Sequence, residues 1–153
     1  MAFRKAVDNV LSKVLIVIMG VMVINVLWQV FTRFVMGTPS SFTDELARYL
    51  MIWLGILGAA YVSGRNMHVA IDVLPLRSST ETQKKLKRIV YVCIILFAFF
   101  AMVVGGLRLV YITFVLDQHS PALQIPLAAV YFAIPLSGAL IIFYKILDIL
   151  NTK

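Results

Sequence analysis

Four apolar blocks, each close to the ~20 residues that cross a bilayer core, constrain this chain more than any other feature. They run over about residues 14–35, 42–64, 89–116 and 126–150, separated by short polar stretches. Of the 153 residues, 61% are hydrophobic, and mean hydropathy is +0.95. A soluble domain sits near half apolar, and here the excess is gathered into blocks. Within lipid a chain must satisfy its own backbone, so blocks of this length become helices. The expected fold is an all-α integral membrane protein, one domain over 1–153 with four transmembrane helices.

Charge sets the expected orientation. Net charge is +7, with Arg65, Arg77, Lys84, Lys85, Lys87 and Arg88 against Asp72 and Glu81 in the 65–88 loop. Positive residues collect on the cytoplasmic side, which makes that loop cytoplasmic and places both termini there too. With no soluble basic face, the charge does not point to nucleic acid. The single cysteine, Cys93, lies in an apolar run; it forms no intrachain disulfide and is expected as a small packing residue.

Before the first span, Phe3, Val7, Val10, Leu11 and Val14 recur at helical spacing, with Arg4, Lys5, Asp8 and Lys13 mostly elsewhere. That is an amphipathic start, suited to lie at the lipid surface before the chain turns inward. The stretch lacks a small-residue cleavage site and is read as uncleaved.

The densest chemistry runs from Trp28 to Trp53. Asn25, Gln29, Thr32 and Arg33 form one stripe of the first helix, and amides facing lipid are costly, so the stripe is expected to face protein. Gly37 and Pro39 end that helix. Ser41 precedes Asp44 by three, a capping-box spacing, and Arg48 stands within pairing reach of both Asp44 and Glu45. Counting ~1.5 Å per residue from Lys13 or Arg88, Arg33 and Arg108 both reach the outer interface. Arg33, Arg48 and Arg108 therefore oppose Asp44, Glu45 and Asp117, and a balanced set of this kind is expected to pair within itself. Farther along the second span, Gly55, Ala59 and Ser63, and also Ala60 and Gly64, repeat at intervals of four, which lets another backbone approach closely. Ser78, Ser79 and Thr80 suit the cap of the third helix. In the fourth span, Pro126 suits the first turn and Pro135 a kink.

Catalytic and cofactor signatures are missing from the sequence. It contains no glycine-rich nucleotide loop, zinc-protease motif or nucleophile elbow. His68 and His119 fall in loops, whereas a membrane haem needs axial ligands on helices. His68 with Asp72 supplies too few ligands for a metal. A small proton-driven exporter, the natural rival at four helices, needs a carboxylate in mid-helix, and here only Asn25 and Gln29 stand there. Other rivals are a self-sufficient four-helix transporter and a membrane anchor or assembly subunit.

Three stretches, in order, resemble one family: Arg33 followed by SFTDELARYLMIWLGILGAA, then RNMHVAID covering Arg65, His68 and Asp72, then SPALQIPLAAVYFAIPLSGAL with Pro121, Pro126 and Pro135. Together they resemble the small membrane subunit, or Q subunit, of tripartite ATP-independent periplasmic (TRAP) transporters. Phe42 stands where that family commonly has Trp. The resemblance implies a bacterial inner-membrane protein partnered by a large multispanning permease, a periplasmic substrate-binding protein and membrane lipids. Sodium and substrate are then handled on the large subunit, with no cofactor on this chain. The implied substrates are organic acid anions such as sialic acids or C4-dicarboxylates. Asn25, Gln29, Arg33, Asp44, Glu45, Arg48, His68, Asp72, Arg108, Pro126 and Pro135 become the candidate structural and subunit-interface residues.

Overall fold

The computed structural model describes residues 2–37, 40–65 and 80–151. Its elements are helices: α1 (Ala2–Val35), α2 (Ser41–Gly64), α3 (Thr80–Phe97), a π-helical segment (Ala98–Val104), α4 (Gly105–Val115), α5 (Leu127–Tyr131) and α6 (Ala133–Asn151). Four helical stretches are long and apolar enough to cross a membrane, at Arg4–Val35, Ser41–Gly64, Glu81–Val115 and Leu127–Leu150. The protein is a multi-pass, all-helical membrane protein.

The amphipathic start does not turn before entering the first span. Helix α1 is continuous over 34 residues, or ~51 Å at 1.5 Å per residue. The reason lies in its apolar face. Leu11 is buried with Leu57 and Tyr144, and Val7, Leu15 and Ile18 pack against the same cluster. These early residues therefore cover α2 and α6. Gly37 takes a φ of 68° just past the end of α1, a left-handed conformation that side chains disfavour.

Helix α6 is the centre of the bundle. It carries the buried residues Ala133, Ser137, Ile141, Tyr144, Lys145 and Asp148, and it packs on α2, α3 and the π segment. A second apolar cluster joins Ala60, Ala98 and Ile141, with Ile94 and Met102 around it. Deep in the bundle the Ser137 hydroxyl donates to the Ile56 carbonyl at 2.7 Å, which spares a hydroxyl from apolar surroundings. By contrast α1 is an outlying helix whose buried side chains, among those described, are Leu11, Asn25 and Thr32.

The two proline expectations meet the structure one step displaced. Pro126 is the N-cap of α5, with ψ of 125°, and the helix begins at Leu127. The fourth span is interrupted at Phe132, between α5 and α6. That lies one turn before Pro135, whose missing N–H leaves the Tyr131 carbonyl without its helical donor. Cys93 corrects an expectation: it is exposed on the outside of α3 and is not packed in the interior. Small residues on α2 divide likewise. Ala60, Ser63 and Gly64 are buried, whereas Gly55 and Ala59 are exposed.

Candidate functional site

Polar residues collect at the two ends of the bundle. One end holds residues 36–37 and 40–41 and the 116–126 connection; the other holds the start of α1, the end of α2 and the end of α6.

At the loop end, Asn25 and Gln29 turn towards the chain's own second helix. Asn25 is buried, and its amide donates to the Thr43 carbonyl at 2.8 Å. Gln29 donates to the Asp44 carboxylate at 3.2 Å. Thr32 is buried, and its hydroxyl donates to the Gln29 carbonyl at 3.0 Å. Three members of the stripe thus face α2 or α1 itself, while Arg33 is exposed.

The expected capping box at Ser41 and Asp44 does not form. Helix α2 starts one residue earlier than that spacing requires, with Ser40 as N-cap and no side-chain cap hydrogen bond. The Thr43 hydroxyl instead donates to the Ser40 carbonyl at 2.8 Å. Asp44, moved one position inward in the helix, takes Arg48 at 3.1 Å along with Gln29. The Asp44–Arg48 pair is an exposed i,i+4 contact.

The expected self-pairing of three arginines with three carboxylates is also corrected. Among the described residues only Asp44 and Arg48 pair within that set; Arg33 and Arg108 are exposed and have no ion-pair partner. Asp117 lies 3.7 Å from the His119 ring. Glu45, one position on from Asp44 and so about 100° around the helix, points to the 116–126 connection. One carboxylate oxygen accepts the Ser120 hydroxyl and the amides of Ala122 and Leu123, each amide at 3.1 Å. Three donors from one turn outcompete a single neighbouring arginine that already holds Asp44.

That connection is tightly folded. Ser120 donates its amide to the Ile125 carbonyl at 2.9 Å and accepts that of Gln124 at 3.0 Å, and Leu127 donates to Gln118 at 2.9 Å. Asp117 and Gln124 adopt positive φ of 49° and 54°, and Ser120 is fully buried. Asp117, Gln118, His119, Pro121 and Gln124 face outward.

At the opposite end two charges of α6 are buried. Lys145 and Asp148, three residues apart on α6, lie 3.2 Å from each other with side chains 1% and 4% exposed. Arg4 joins Asp148 at 2.8 Å and donates to the Gly64 carbonyl. Lys145 donates to the Ser63 carbonyl at 2.9 Å. These are the last carbonyls of α2, where the helix dipole favours cations. The Tyr144 hydroxyl donates to Asp8 at 2.6 Å, and the Tyr91 ring lies 4.9 Å from the Lys145 ammonium. Gly64 is required here: a Cβ would stand 2.9 Å from the Tyr144 ring.

Sequence reasoning passed over this second cluster. Its one local signal is the Lys145/Asp148 spacing inside an apolar block; Arg4 is 144 positions from its partner. His68 and Asp72 lie outside the described residues, as do Ser78 and Ser79.

Among the described residues, no arrangement at either end has the form of a catalytic centre. Carboxylates are matched to amides, a hydroxyl or cations, and the result ties helices together. Comparison with known proteins agrees. The chain is 27% identical to a candidate TRAP transporter small permease protein of Haemophilus influenzae, over 95% of this chain and 89% of that one. It is 32% identical to the sialic acid TRAP transporter small permease protein SiaQ of Vibrio cholerae, over 47% of this chain and 44% of that one. A further match, 32% identical, covers 48% of this chain but 13% of the sialic acid TRAP transporter permease protein SiaT of Haemophilus influenzae. Residues 22–152 match the family described as tripartite ATP-independent periplasmic transporters, DctQ component. The chain belongs to that family: it is the small permease of a TRAP transporter, a membrane transport subunit and not an enzyme.

Proposed function

We propose that this small permease packs on the large multispanning permease subunit and stabilises its stationary scaffold, in a transporter that takes up an organic acid anion. Uptake is sodium-coupled and fed by a periplasmic binding protein, with the sodium sites on the large subunit. The membrane is the bacterial inner membrane. Both termini and the basic 65–88 loop lie in the cytoplasm, as their excess of Lys and Arg favours, so the 36–41 and 116–126 connections face the periplasm. Sialic acid is the favoured substrate class, because two relatives carry that name; C4-dicarboxylates are the other class.

One observation carries this reading. The buried charges are spent on tying α1, α2 and α6 together, whereas long apolar flanks stay open. Helix α1, Trp53, Leu57, Leu136 and Leu140 line an apolar groove of about 490 Å³, and Gly55 and Ala59 stand exposed on α2. A chain that bound an anion within the membrane would gather unspent polar groups there, whereas Asn25 and Ser137 are bonded to carbonyls of α2. Large apolar flanks suit a scaffold helix or lipid.

Reconstitution tests it. The large permease, this chain and the binding protein are placed in liposomes under a sodium gradient, with labelled sialic acid. Uptake is expected only with all three proteins and sodium, and the two membrane chains should co-purify. Uptake by this chain alone, or full uptake by the large permease without it, overturns the proposal. Transport of a C4-dicarboxylate in place of sialic acid overturns the substrate class alone.

A further inference from the structure

We infer that Lys13, at mid-depth on the outer face of α1, is a contact point for the large permease, and that a carboxylate on a membrane helix of that subunit receives its ammonium. This rests on the reading that the chain packs on the large permease.

The register of α1 against α2 sets the depth. Arg4 meets the Gly64 carbonyl and Asn25 the Thr43 carbonyl, contacts 21 residues apart on both helices. Leu11 packs with Leu57 in the same register, so Lys13 stands level with Gly55. Along α2 that is about 13.5 Å from Gly64 and about 16.5 Å from Asp44. Between Arg48 and Arg65 the α2 sequence carries no charged side chain, and Lys13 lies beside the middle of that stretch. Helix packing thus corrects the use of Lys13 as the inner boundary of the first span. Shifting the bilayer until its nearer surface met Lys13 would draw the exposed Asp44–Arg48 pair into the core. It would also leave Val7, Val10 and Leu57, which line the apolar groove, in water.

Lys13 has no partner in its own chain. It is exposed, and among the described residues it makes no hydrogen bond or ion pair. Two positions from the buried Leu11, and so about 200° around the helix, it points away from α2 and α6. Val10 and Val14 on one side and Ile16 and Met19 on the other line apolar grooves, so water has no polar wall to follow. Its four-carbon stem recovers only part of the depth, and hydrocarbon offers the ammonium no acceptor. Ionisable groups at such depth pair with protein. One cation on a convex helix face builds no pocket around a small anion, but it matches a single carboxylate on a neighbouring helix. Val17, Gly20 and Ile24 continue the face and are exposed. Open space at Gly20 lets another backbone lie close.

The test titrates the labelled subunit with the large permease in detergent. Lys13→Leu should raise Kd about 30-fold, as truncating one member of a buried charge pair does, because the carboxylate is left alone. Lys13→Arg should keep most of the affinity. Denaturant unfolding of the isolated subunit should be the same in all three, which separates this effect from a structural loss. A hydrophobic carbodiimide, which joins an amine to a carboxylate, should couple Lys13 of the wild-type complex to an Asp or Glu of the large permease. Lys13→Leu binding as tightly as wild type, or more tightly as for a lysine facing lipid, overturns the inference. Coupling to a second copy of this chain, or no coupling, overturns the carboxylate partner. Should Lys13→Leu fail to fold, Lys13→Gln is judged by the same criterion. Wild-type chains that never associate sink the functional proposal itself; association that Lys13→Leu leaves untouched sinks only the role of Lys13.

Discussion

The two ends of the α1–α2 pair solve one problem with opposite chemistry. At the end holding the start of α1 and the end of α6, Lys145 and Asp148 are withdrawn from solvent and, with the half-buried Arg4, close around the last carbonyls of α2. At the loop end, α1 is held by a neutral amide on a carbonyl, Asn25 to Thr43, and by an exposed set, Gln29–Asp44–Arg48. Where three helices converge, water is excluded and each charge needs a partner. Where α1 meets only the start of α2, water supplies what the protein does not. Equal-looking charges in the sequence therefore carry unequal weight.

The comparison breaks most readily at Asp148. Asp148→Ala leaves Lys145 and Arg4 facing each other in a buried site, and loss of one partner from such a pair costs about 3–5 kcal/mol. Unfolding of the purified subunit in detergent, followed by denaturant titration, should show that loss. A cost below that of an exposed pair would mean that this end is hydrated after all.

Gly64→Ala tests the packing beneath the same cluster. The added methyl meets the Tyr144 ring at 2.9 Å, and overpacking of this kind costs about 1–3 kcal/mol. Stability should fall without any change of charge, and Tyr144→Leu in the same chain should recover part of it.

At the other end the effects shrink. Asn25→Leu removes a buried hydrogen bond to Thr43, a carbonyl already inside a helix; membrane hydrogen bonds of this sort average about 0.6 kcal/mol. Because Asn25 faces α2 of its own chain, co-elution with the large permease should be unchanged. Loss of co-elution would show that the stripe also reaches the partner. Arg48→Ala, at the exposed pair, should cost about 0.2–1 kcal/mol in dilute buffer and close to nothing at ~1 M salt, where screening acts within ~3 Å.

Much of the scaffold was legible beforehand. The four spans, the helix end near Gly37, the Asp44–Arg48 pair and the interruption ahead of Pro135 all depend on residues within a turn or two of each other. The capping box was misread by a single residue, because Ser40 and Ser41 offer the same chemistry. Glu45 reads in the sequence as a member of a charge network, but its partners lie 75 to 78 positions away. Arg4 and Asp148 were not connected at all.

Sequence alone determined the membrane class and the number of spans, because bilayer thickness turns the length of an apolar block into a structural threshold. It also carried the family, through short motifs in a fixed order. Tertiary structure alone decided which face of each helix is inside, that α6 is central and α1 peripheral, and where each charge finds its partner. Side-chain pairing within a turn follows from helical geometry. Pairing across spans depends on how the helices pack, and several helix faces in this chain are apolar enough to have packed inward.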